Sequence, residues 1–482
     1  MTSESPDDGI VGSDAVPGGA GSGGRDGGKA ERHQVPRGSM AVHEPAPDRP
    51  DPVEVLVEQG RTRVPELVPV RYARMLVSTF TFFRGAAAVM AADLGAQPRS
   101  DLHVQLCGDA HLANFGGFAA PDRTLVFDVN DFDETIPGPF EWDVKRLATS
   151  FVVAGRDRGF SAQRCRDLVL RCVRSYQEAM SAFAGMTRLG VWYERLDAEA
   201  IRRRFETEVG SQALQELDRL LAKARKHTSS KAFSRYTTRD ADGRLCLLSH
   251  PPVLVPLEEL LDPPELDLAE QRTRALLEQY SAGLLADRQW LLAGYRMVGR
   301  ARKVVGVGSV GTRCWVVLLV ARDDDEDDLV LQVKEAQRSV LDPYLGTNVY
   351  AAQGQRVVAG QRVMQATGDV LLGWAHGIGI DGHERDLYVR QLWDWKVSVD
   401  LATISPAVFE VYAELCGWTL ARAHARSGDR KAIAAYLGSS HAVDRAFADY
   451  AEAYADQNER DYARLRAAAA DGVISVAPTE DG

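Results

Sequence analysis

One stretch constrains the fold more than any other, because its composition and its spacing of apolar residues differ from those of the chain on either side. Residues 303–336 read KVVGVGSVGTRCWVVLLVARDDDEDDLVLQVKEA, with β-branched runs, glycines and an acidic turn. This pattern is typical of a strand–turn–strand hairpin. In contrast, the apolar residues of 67–95, 161–230 and 405–469 recur with helical spacing. A β-rich unit between helical segments predicts an α+β protein.

These changes in composition and periodicity divide the chain into five regions. Residues 1–50 are rich in Gly, Asp, Ser and Pro and poor in aromatic residues, so we predict a disordered tail. We expect 51–302 to form most of a helical lobe, 303–396 to form a β-rich lobe, and 397–469 to complete the helical lobe. Residues 470–482 are predicted to be a second tail.

Shorter elements are placed by the same patterns. Two strands of the buried type are predicted at 103–108 and 124–129, and polar residues follow each of them. Residues 270–303 have the spacing of a helix. Within the β-rich lobe, a helix is predicted over 348–365 and a strand over 386–399.

Charge and cysteine usage exclude several classes of protein. The formal charge of −11 argues against binding to nucleic acid or to a membrane surface, since both need a basic face. The six cysteines are scattered without a C-x-x-C pair, which suits a reducing cytoplasm. No signal peptide is visible, and the longest apolar run, WVVLLVA, is too short to span a bilayer. We therefore expect a soluble, cytoplasmic protein.

Polar residues concentrate in CGDAHLANFG and, soon after it, in LVFDVNDFDE. Asp109 and Asn114 have the spacing of the kinase catalytic loop, H-R-D-x-x-x-x-N, in which the aspartate accepts a proton and the asparagine holds Mg²⁺. Asp131 and Asp133 are candidates for the remaining metal ligands, and oxygen ligands suit Mg²⁺ better than zinc. His111 lies inside the loop and completes the candidate catalytic set.

The same residues allow another interpretation. Asp109, His111, Asp131 and Asp133 could form a hydrolytic metal centre. Such a centre needs further histidine or carboxylate ligands, and the sequence offers no convincing set. For any one of these residues, a role in capping a turn is also common, although it explains the whole group less well.

A glycine-rich loop precedes the first strand of the hairpin. GVGSVG fits the pattern G-x-G-x-x-G, with Gly306, Gly308, Ser309 and Gly311 as candidate phosphate-binding residues. Lys334 follows in the second strand, where kinases carry the lysine that contacts the α- and β-phosphates. The alternatives are an ordinary flexible hairpin and a solvated edge-strand lysine.

Several other charged residues stand in apolar surroundings. Arg84 is expected either to contact phosphate or to pair with a carboxylate. Asp143 and Arg146 lie three positions apart on one helix and are interpreted as a structural pair that supports the loop. His424 and Asp429 are interpreted as part of a helix end rather than as a site.

Segments spread over most of the chain carry a resemblance to one family. They read RYARMLVSTFTFFRG, CGDAHLANFG, FDVNDFDE, PFEWDVKRLATS, RKVVGVGSVGTRC, LQVKEA, YVRQLWDWK and LARAHARSGD. Together, in this order over roughly residues 55–465, they resemble the bacterial domain-of-unknown-function 2252 family. The name of that family implies no activity or substrate.

A looser resemblance is to the kinase-like fold of the aminoglycoside phosphotransferase and choline kinase type. There the catalytic loop reads H-G-D-x-H-x-x-N, and CGDAHLAN matches it except that Cys107 replaces the first histidine. Asp131, Phe132 and Asp133 match the metal motif I-D-F-D. This resemblance implies that Asp109 is the base and that Lys334 binds phosphate.

The chain departs from that pattern in two ways. Its catalytic loop precedes its glycine loop, so a protein-kinase-like two-lobed fold would have to be circularly permuted. The segment 348–368 contains no Asp or Glu, although active protein kinases pair the lysine with a glutamate on this helix. Only Gln355, Gln361 or Gln365 could approach Lys334 from it. Either another carboxylate pairs with the lysine or phosphate binding is altered.

The function predicted from these residues is transfer of a phosphoryl group from Mg-ATP to an unidentified hydroxyl acceptor. ATP and Mg²⁺ are the expected cofactors, and neither nucleic acid nor a membrane is an expected partner. A non-catalytic nucleotide-binding module and a nucleotidyl transferase on the same scaffold are the alternatives. A metal-dependent hydrolase ranks last.

Overall fold

The computed structural model describes residues 23–206, 210–226, 236–323, 327–392 and 399–478. Within these residues helices and strands are mixed, which confirms the α+β class. No helix in the described part is both long and apolar enough to cross a membrane.

The regular elements are numbered in chain order. The α-helices are α1 (Gly24–Gln34), α2 (Pro52–Gly60), α3 (Val68–Met75), α4 (Thr79–Gly85), α5 (Ala87–Gly95), α6 (Phe140–Asp157), α7 (Ala162–Gly185), α8 (Arg188–Tyr193), α9 (Ala198–Phe205), α10 (Ser211–Lys226), α11 (Pro263–Ala282), α12 (Ala286–Ala293), α13 (Asp342–Leu345), α14 (Gln353–Met364), α15 (Pro406–Ser427), α16 (Arg430–Leu437) and α17 (Ala442–Ala470). The strands are β1 (His103–Leu106), β2 (Phe115–Ala119), β3 (Leu125–Val129), β4 (Ile136–Pro139), β5 (Leu196–Asp197), β6 (Thr237–Arg239), β7 (Leu245–Leu247), β8 (Leu254–Pro256), β9 (Tyr295–Lys303), β10 (Cys314–Ala321), β11 (Asp328–Glu335), β12 (Gly373–Ile378) and β13 (Glu384–Gln391).

The largest sheet is antiparallel, with the strand order β12-β13-β11-β10-β9-β8. The predicted hairpin is confirmed as β10 and β11, in which Cys314 pairs with Lys334. The glycine loop joins β9 to β10. The predicted helix between the hairpin and the last strands is α14, which packs on β12 and β13.

The central strands are nearly continuous apolar runs because both faces of the sheet are covered. Val317 and Leu331 lie in one apolar cluster, which includes Tyr280 of α11. Val316 and Leu318 lie in a second cluster on the other face. A strand that is buried on both faces loses the alternation of polar and apolar residues, and this explains the texture of WVVLLVA.

The helical body is built around α6, in which almost every residue from Phe140 to Gly155 is buried. Its neighbour α7 packs closely against α15. A Cβ atom at Gly417 of α15 would lie 2.1 Å from the carbonyl oxygen of Cys172, so glycine permits this close approach. The charged residues of α6 are buried, so their partners lie in the interior of the protein or in the neighbouring loops.

The first predicted tail is wrong over the part that the structure describes. Residues 1–22 lie outside the described residues, but Gly24–Gln34 form α1, which packs on α16. A Cβ atom at Gly28 would lie 2.0 Å from the carbonyl oxygen of Ala432. The glycines that suggest disorder in the sequence therefore include one that allows two helices to touch.

The predicted helix over 270–303 is correct only in part. Its last nine residues are β9, which pairs with β8 and β10, so the sheet begins before residue 303. The arginines of YRMVGRARK bind acidic partners, as Arg300 does with Glu270 and Arg302 with Glu66. Strand pairing, which is a tertiary effect, decides this segment.

Further differences concern segment ends. The helix predicted over 67–95 is divided into α3, α4 and α5, and Ser78 caps the start of α4. After α17 the chain has no regular structure, but Ile474 is buried. The second predicted tail, 470–482, is therefore packed against the protein over its described part. Residues 324–326, 393–398 and 479–482, including the end of the predicted strand 386–399, lie outside the described residues.

Candidate functional site

A cleft of about 1280 Å³ lies between the large sheet and the helical body. Segments that are distant in sequence line it together: helix α4, the loops after β1 and β3, the glycine loop, and β11. The sequence-predicted residues that line the cleft are Asp109, His111, Asn114, Asp131, Asp133, Gly306, Gly308, Ser309 and Lys334. Gly311 is the exception and does not line it.

The loop after β1 is held by the start of α6. The carboxylate of Asp143 accepts hydrogen bonds from the backbone N–H groups of Cys107, at 2.7 Å, and Gly108, at 3.0 Å. Gly108 has a φ of +85°, and a Cβ atom there would lie 2.2 Å from the carbonyl oxygen of Glu134. Glycine is therefore required at this position, and the tight turn aims Asp109 into the cleft.

Asp109 is bound by an arginine of the same helix. Nε of Arg146 donates to Oδ1 of Asp109 at 2.8 Å, and its Nη2 donates to the carbonyl oxygen of Phe83 at 2.6 Å. Burial raises the pKa of Asp109, and the charge of Arg146 opposes this effect. Asp143 and Arg146 were expected to pair with each other. Instead, each contacts the loop separately, because both project from α6 towards it.

A short 3₁₀ helix, Leu112–Asn114, places the other two residues of the loop. The amide nitrogen of Asn114 donates to the backbone oxygen of Asp109 at 2.8 Å, which leaves the amide oxygen free for another partner. His111 is buried, and its Nε2 lies 3.7 Å from Oδ2 of Asp109. Burial, together with the charges of Arg84 and Arg146, holds the pKa of His111 well below its usual value. Its imidazole is therefore neutral.

The two aspartates after β3 have different surroundings. Asp133 forms an ion pair with Lys334 and accepts hydrogen bonds from the hydroxyls of Tyr388, at 2.7 Å, and Ser309, at 3.1 Å. Burial raises the pKa of Asp133, but Lys334 and these donors lower it further, so the net shift is downward. Asp131 has no ion-pair partner among the described residues and accepts only the N–H of Asp133, at 3.3 Å.

Lys334 is buried on β11 and donates to the hydroxyl of Ser309 at 2.9 Å. Burial lowers its pKa, but the negative charge of Asp133 more than offsets this, and the net pKa is raised. The carboxylate missing from α14 is thus replaced by one from the loop after β3. Gln361 and Gln365, two of the alternatives on α14, bind each other and the backbone of β3 instead.

Arg356 of α14 is a residue that the sequence analysis missed. Its guanidinium donates to the carbonyl oxygens of Thr135, at 2.6 Å, and of Asp133 and Gln337, both at 2.8 Å. It therefore fixes the loop that carries the two aspartates. The sequence signal that could have identified Arg356 is a basic residue in a predicted helix that contains no acidic residue.

Two arginines near the N-terminus hold the glycine loop. Arg63 donates to the carbonyl oxygens of Val310 and Gly308, and Arg74 donates to that of Val305 at 2.8 Å. Gly311, with a φ of +86°, packs against the side chain of Arg63 rather than facing the cleft. Gly311 thus shapes the loop, and Gly306 and Gly308 present it to the cleft.

His424 and Asp429 have separate roles. His424 is fully buried in α15, where Nε2 lies 3.2 Å from Asp143 and Nδ1 lies 2.9 Å from the hydroxyl of Tyr176. It supports Asp143, which holds the backbone of the loop after β1, and the interpretation as a helix end did not foresee this role. Asp429 caps α16 by accepting two backbone N–H groups at 3.0 Å, as a helix-end residue does.

The alternative metal centre finds no support in the geometry. Within the ranges that the structure describes, no group of three or more His, Cys, Asp or Glu side chains could hold a metal ion by itself. Asp133 is paired with Lys334, and Nε2 of His111 lies 3.7 Å from Oδ2 of Asp109.

Comparison with known protein families confirms the family resemblance that the sequence segments carry. No curated protein and no solved structure matches the chain. One family model, described as an uncharacterized protein conserved in bacteria (DUF2252), matches residues 63–468, which include all the sequence-predicted residues that line the cleft. This protein is therefore a member of the DUF2252 family.

Proposed function

We propose that this protein transfers a phosphoryl group from Mg-ATP to a hydroxyl acceptor, on a circularly permuted, kinase-like, two-lobed fold. One observation carries the proposal: the lysine and glycine loop of the sheet line the same cleft as Asp109, Asn114 and Asp131 of the helical body. Lys334 lies 225 positions after Asp109 in the sequence, so the association of these residues is not a consequence of local structure.

The order of parts within the sheet supports the kinase-like arrangement. A glycine loop joins two antiparallel strands, β9 and β10, and the next strand carries Lys334. A helix, α14, then packs on the sheet before its last two strands. Kinases carry the phosphate-covering loop, the phosphate-binding lysine and the following helix in this order.

The residues fit the two cofactors. Asp131 has no ion-pair partner in the described part of the chain, and Asn114 keeps its amide oxygen free, so both offer the hard oxygen ligands that Mg²⁺ prefers. Two protein ligands are enough, since Mg²⁺ is usually completed by phosphate oxygens and water. When bound, ATP would supply the phosphoryl group, and Mg²⁺ would neutralise negative charge on its phosphates.

The chain's own groups have defined tasks in this proposal. Asp109 orients the acceptor hydroxyl and takes its proton, and its raised pKa brings the carboxylate closer to a useful base strength. Arg146 holds that carboxylate in one orientation. Lys334, already positioned by Asp133 and Ser309, presents a buried positive charge to phosphate.

Thermal melting tests the proposal with Mg²⁺ alone, ATP alone, and both together. A ligand that binds only the folded state at ~100 times its dissociation constant stabilises the protein by about 2.7 kcal/mol. We expect a Mg²⁺-dependent ATP shift in the wild type and its loss in Lys334→Ala and Asp131→Ala, each compared with its own ligand-free melting temperature. Lys431→Ala, an exposed lysine on α16, should keep the shift.

An ATP shift that survives both cleft substitutions would contradict the proposed site, and no shift in the wild type would contradict the function. An acceptor screen then separates the alternatives. Transfer of AMP rather than phosphate would indicate a nucleotidyl transferase, and binding without turnover would indicate a nucleotide-binding module. Turnover that disappears in Asp109→Asn would exclude the latter.

A further inference from the structure

Arg84, at the end of α4, is a cation of the cleft that the proposed mechanism does not use. Its side chain lines the cleft, and its Nε is buried without a hydrogen-bond partner. A Cβ atom on Gly306 would lie 3.9 Å from Nη2 of Arg84, so the guanidinium reaches the glycine loop. No hydrogen bond or ion pair joins it to any other described residue.

Three neighbouring arginines of the N-terminal region behave differently. Arg63 and Arg74 donate to carbonyl oxygens of the glycine loop, and Arg71 donates to the carbonyl oxygen of Gly85 at 3.0 Å. Nε of Arg63 and Nε of Arg71 also lack a partner among the described residues, but all three arginines donate from their terminal nitrogens to backbone oxygens, which Arg84 does not. Buried polar groups in proteins are generally hydrogen-bonded, so Arg84, which is not, calls for an explanation.

The charges around Arg84 indicate what would bind it. Burial lowers its pKa, and Asp109 and Asp131 are the carboxylates close enough to oppose this effect. Neither carboxylate forms an ion pair with it, since Asp109 is bound by Arg146 and Asp131 by a backbone N–H. The guanidinium thus lies near the candidate base, the candidate metal ligand and the glycine loop at once. An anion placed among these three groups would be within reach of Arg84.

We infer that Arg84 binds the phosphoryl group that is transferred, as a guanidinium supplied to the active site by α4. The inference rests on the proposed function. In the reaction, the bond from the γ-phosphorus to the β–γ bridging oxygen breaks and a bond to the acceptor oxygen forms. The acceptor's proton goes to Asp109, and ADP leaves. Arg84 neutralises charge on the oxygens of the moving group, which a planar guanidinium can bind through two N–H donors.

Calorimetric titration of Mg-ATP and Mg-ADP into the wild type, Arg84→Gln and Arg84→Lys tests this role. A charge-assisted hydrogen bond contributes enough that its loss should weaken Mg-ATP binding by ~10-fold or more. Binding of Mg-ADP, which lacks the γ-phosphate, should change by less than about 2-fold. Arg84→Lys should be intermediate, because lysine keeps the charge but not the planar fork.

A purely structural role predicts a different pattern. Because Arg84 has no hydrogen-bond partner, ligand-free Arg84→Gln should melt at or above the wild-type temperature. A lower melting temperature with unchanged binding of Mg-ATP would overturn the inference, and so would equal weakening of Mg-ATP and Mg-ADP. Arg274→Gln on α11 removes the same charge from an exposed site and controls for net charge.

A separate arm distinguishes failure of the inference from failure of the proposed function. If the wild type binds neither nucleotide, the proposed function is wrong, and inorganic tripolyphosphate is then used as the probe. A tripolyphosphate melting shift that is present in the wild type and lost in Arg84→Gln retains Arg84 as a phosphate-binding residue. A shift that survives the substitution, or is absent from the wild type, overturns it.

Discussion

At the scale of single residues, the cleft places chemically similar carboxyl groups in different surroundings. Asp109 is bound by Arg146, and Asp133 is paired with Lys334. Glu134, in contrast, accepts one backbone N–H group at 2.7 Å and forms no ion pair within the described residues. Burial therefore raises the pKa of Glu134 to about 7. The environment, rather than the residue type, assigns the charge state of each group.

Glu134 makes the stability of this protein depend on pH. Its pKa is raised from 4.5 to about 7 in the folded state, so the native state binds the proton more tightly than the unfolded state does. The free energy of unfolding should therefore fall as the pH rises from about 4.5 to about 7, by about 2 to 3 kcal/mol. Glu134→Gln, which resembles the protonated acid and can still accept the backbone hydrogen bond, should remove this loss.

Chemical denaturation at pH 5, 6, 7 and 8 measures the effect as the difference between wild type and variant. The two curves should converge at low pH, and the variant should be more stable at pH 8. Glu199→Gln, at an exposed position on α9, should follow the wild type throughout. Parallel curves for wild type and Glu134→Gln would show that Glu134 is ionised in the folded state across the whole range.

At the scale of elements, glycines mark where two segments touch. Gly28 of α1 faces the carbonyl oxygen of Ala432 on α16, and Gly417 of α15 faces that of Cys172 on α7. Both are positions where any side chain would collide with backbone, which cannot move away as a flexible side chain can. The segment around Gly28 is therefore part of the folded protein although its composition is typical of disordered chains.

Gly28→Ala should destabilise the docking of α1. The new Cβ atom would lie 2.0 Å from a carbonyl oxygen, so either the helix shifts or it detaches. We expect a loss of about 1 to 3 kcal/mol in the free energy of unfolding and faster proteolysis between residues 23 and 50. Gly38→Ala is the matched control, because a Cβ atom at Gly38 meets nothing within 4 Å. Equal proteolysis of the two variants would contradict this account of the contact.

At the scale of the whole molecule, a buried ion pair joins the sheet to the helical body. Lys334 belongs to β11, and Asp133 belongs to the loop between β3 and β4. Removing one partner leaves a buried charge without compensation, which usually costs more than the pair contributes. The same pair holds the lysine in place for the proposed phosphate contact.

A double-mutant cycle on this pair should show strong coupling. Lys334→Met and Asp133→Asn should each lower the free energy of unfolding by about 3 to 5 kcal/mol, and the double variant by clearly less than their sum. An asparagine at position 133 can still accept hydrogen bonds from the hydroxyls of Tyr388 and Ser309. Urea denaturation of the four proteins gives the coupling energy.

An exposed pair is the comparison for this cycle. Glu58 and Arg61 are 2.7 Å apart at the end of α2, with side chains 69% and 72% exposed. Their coupling should be below about 1 kcal/mol, since water screens surface charges. Additive effects in the Lys334–Asp133 cycle would mean that the two groups do not interact across the cleft.

Local patterns predicted much of this protein correctly. CGDAHLANFG indicated a loop that presents Asp109 and Asn114, and the glycine loop with Lys334 indicated a hairpin. These features depend on neighbouring residues alone: a glycine turn, a β-branched run and an Asp–Asn spacing act through a few bonds. The sequence by itself therefore determined the elements that carry the candidate site, and the family to which the chain belongs.

Tertiary structure alone decided which residues meet. The partner of Lys334 is Asp133 rather than a residue of the following helix, β9 is a strand because β8 and β10 flank it, and α1 is ordered because α16 receives it. Contacts between residues hundreds of positions apart leave no periodic trace in the sequence, and their energies outweigh local propensity. Only the folded chain shows that Nε of Arg84 is buried without a hydrogen-bond partner among the described residues, so the sequence could not reveal it.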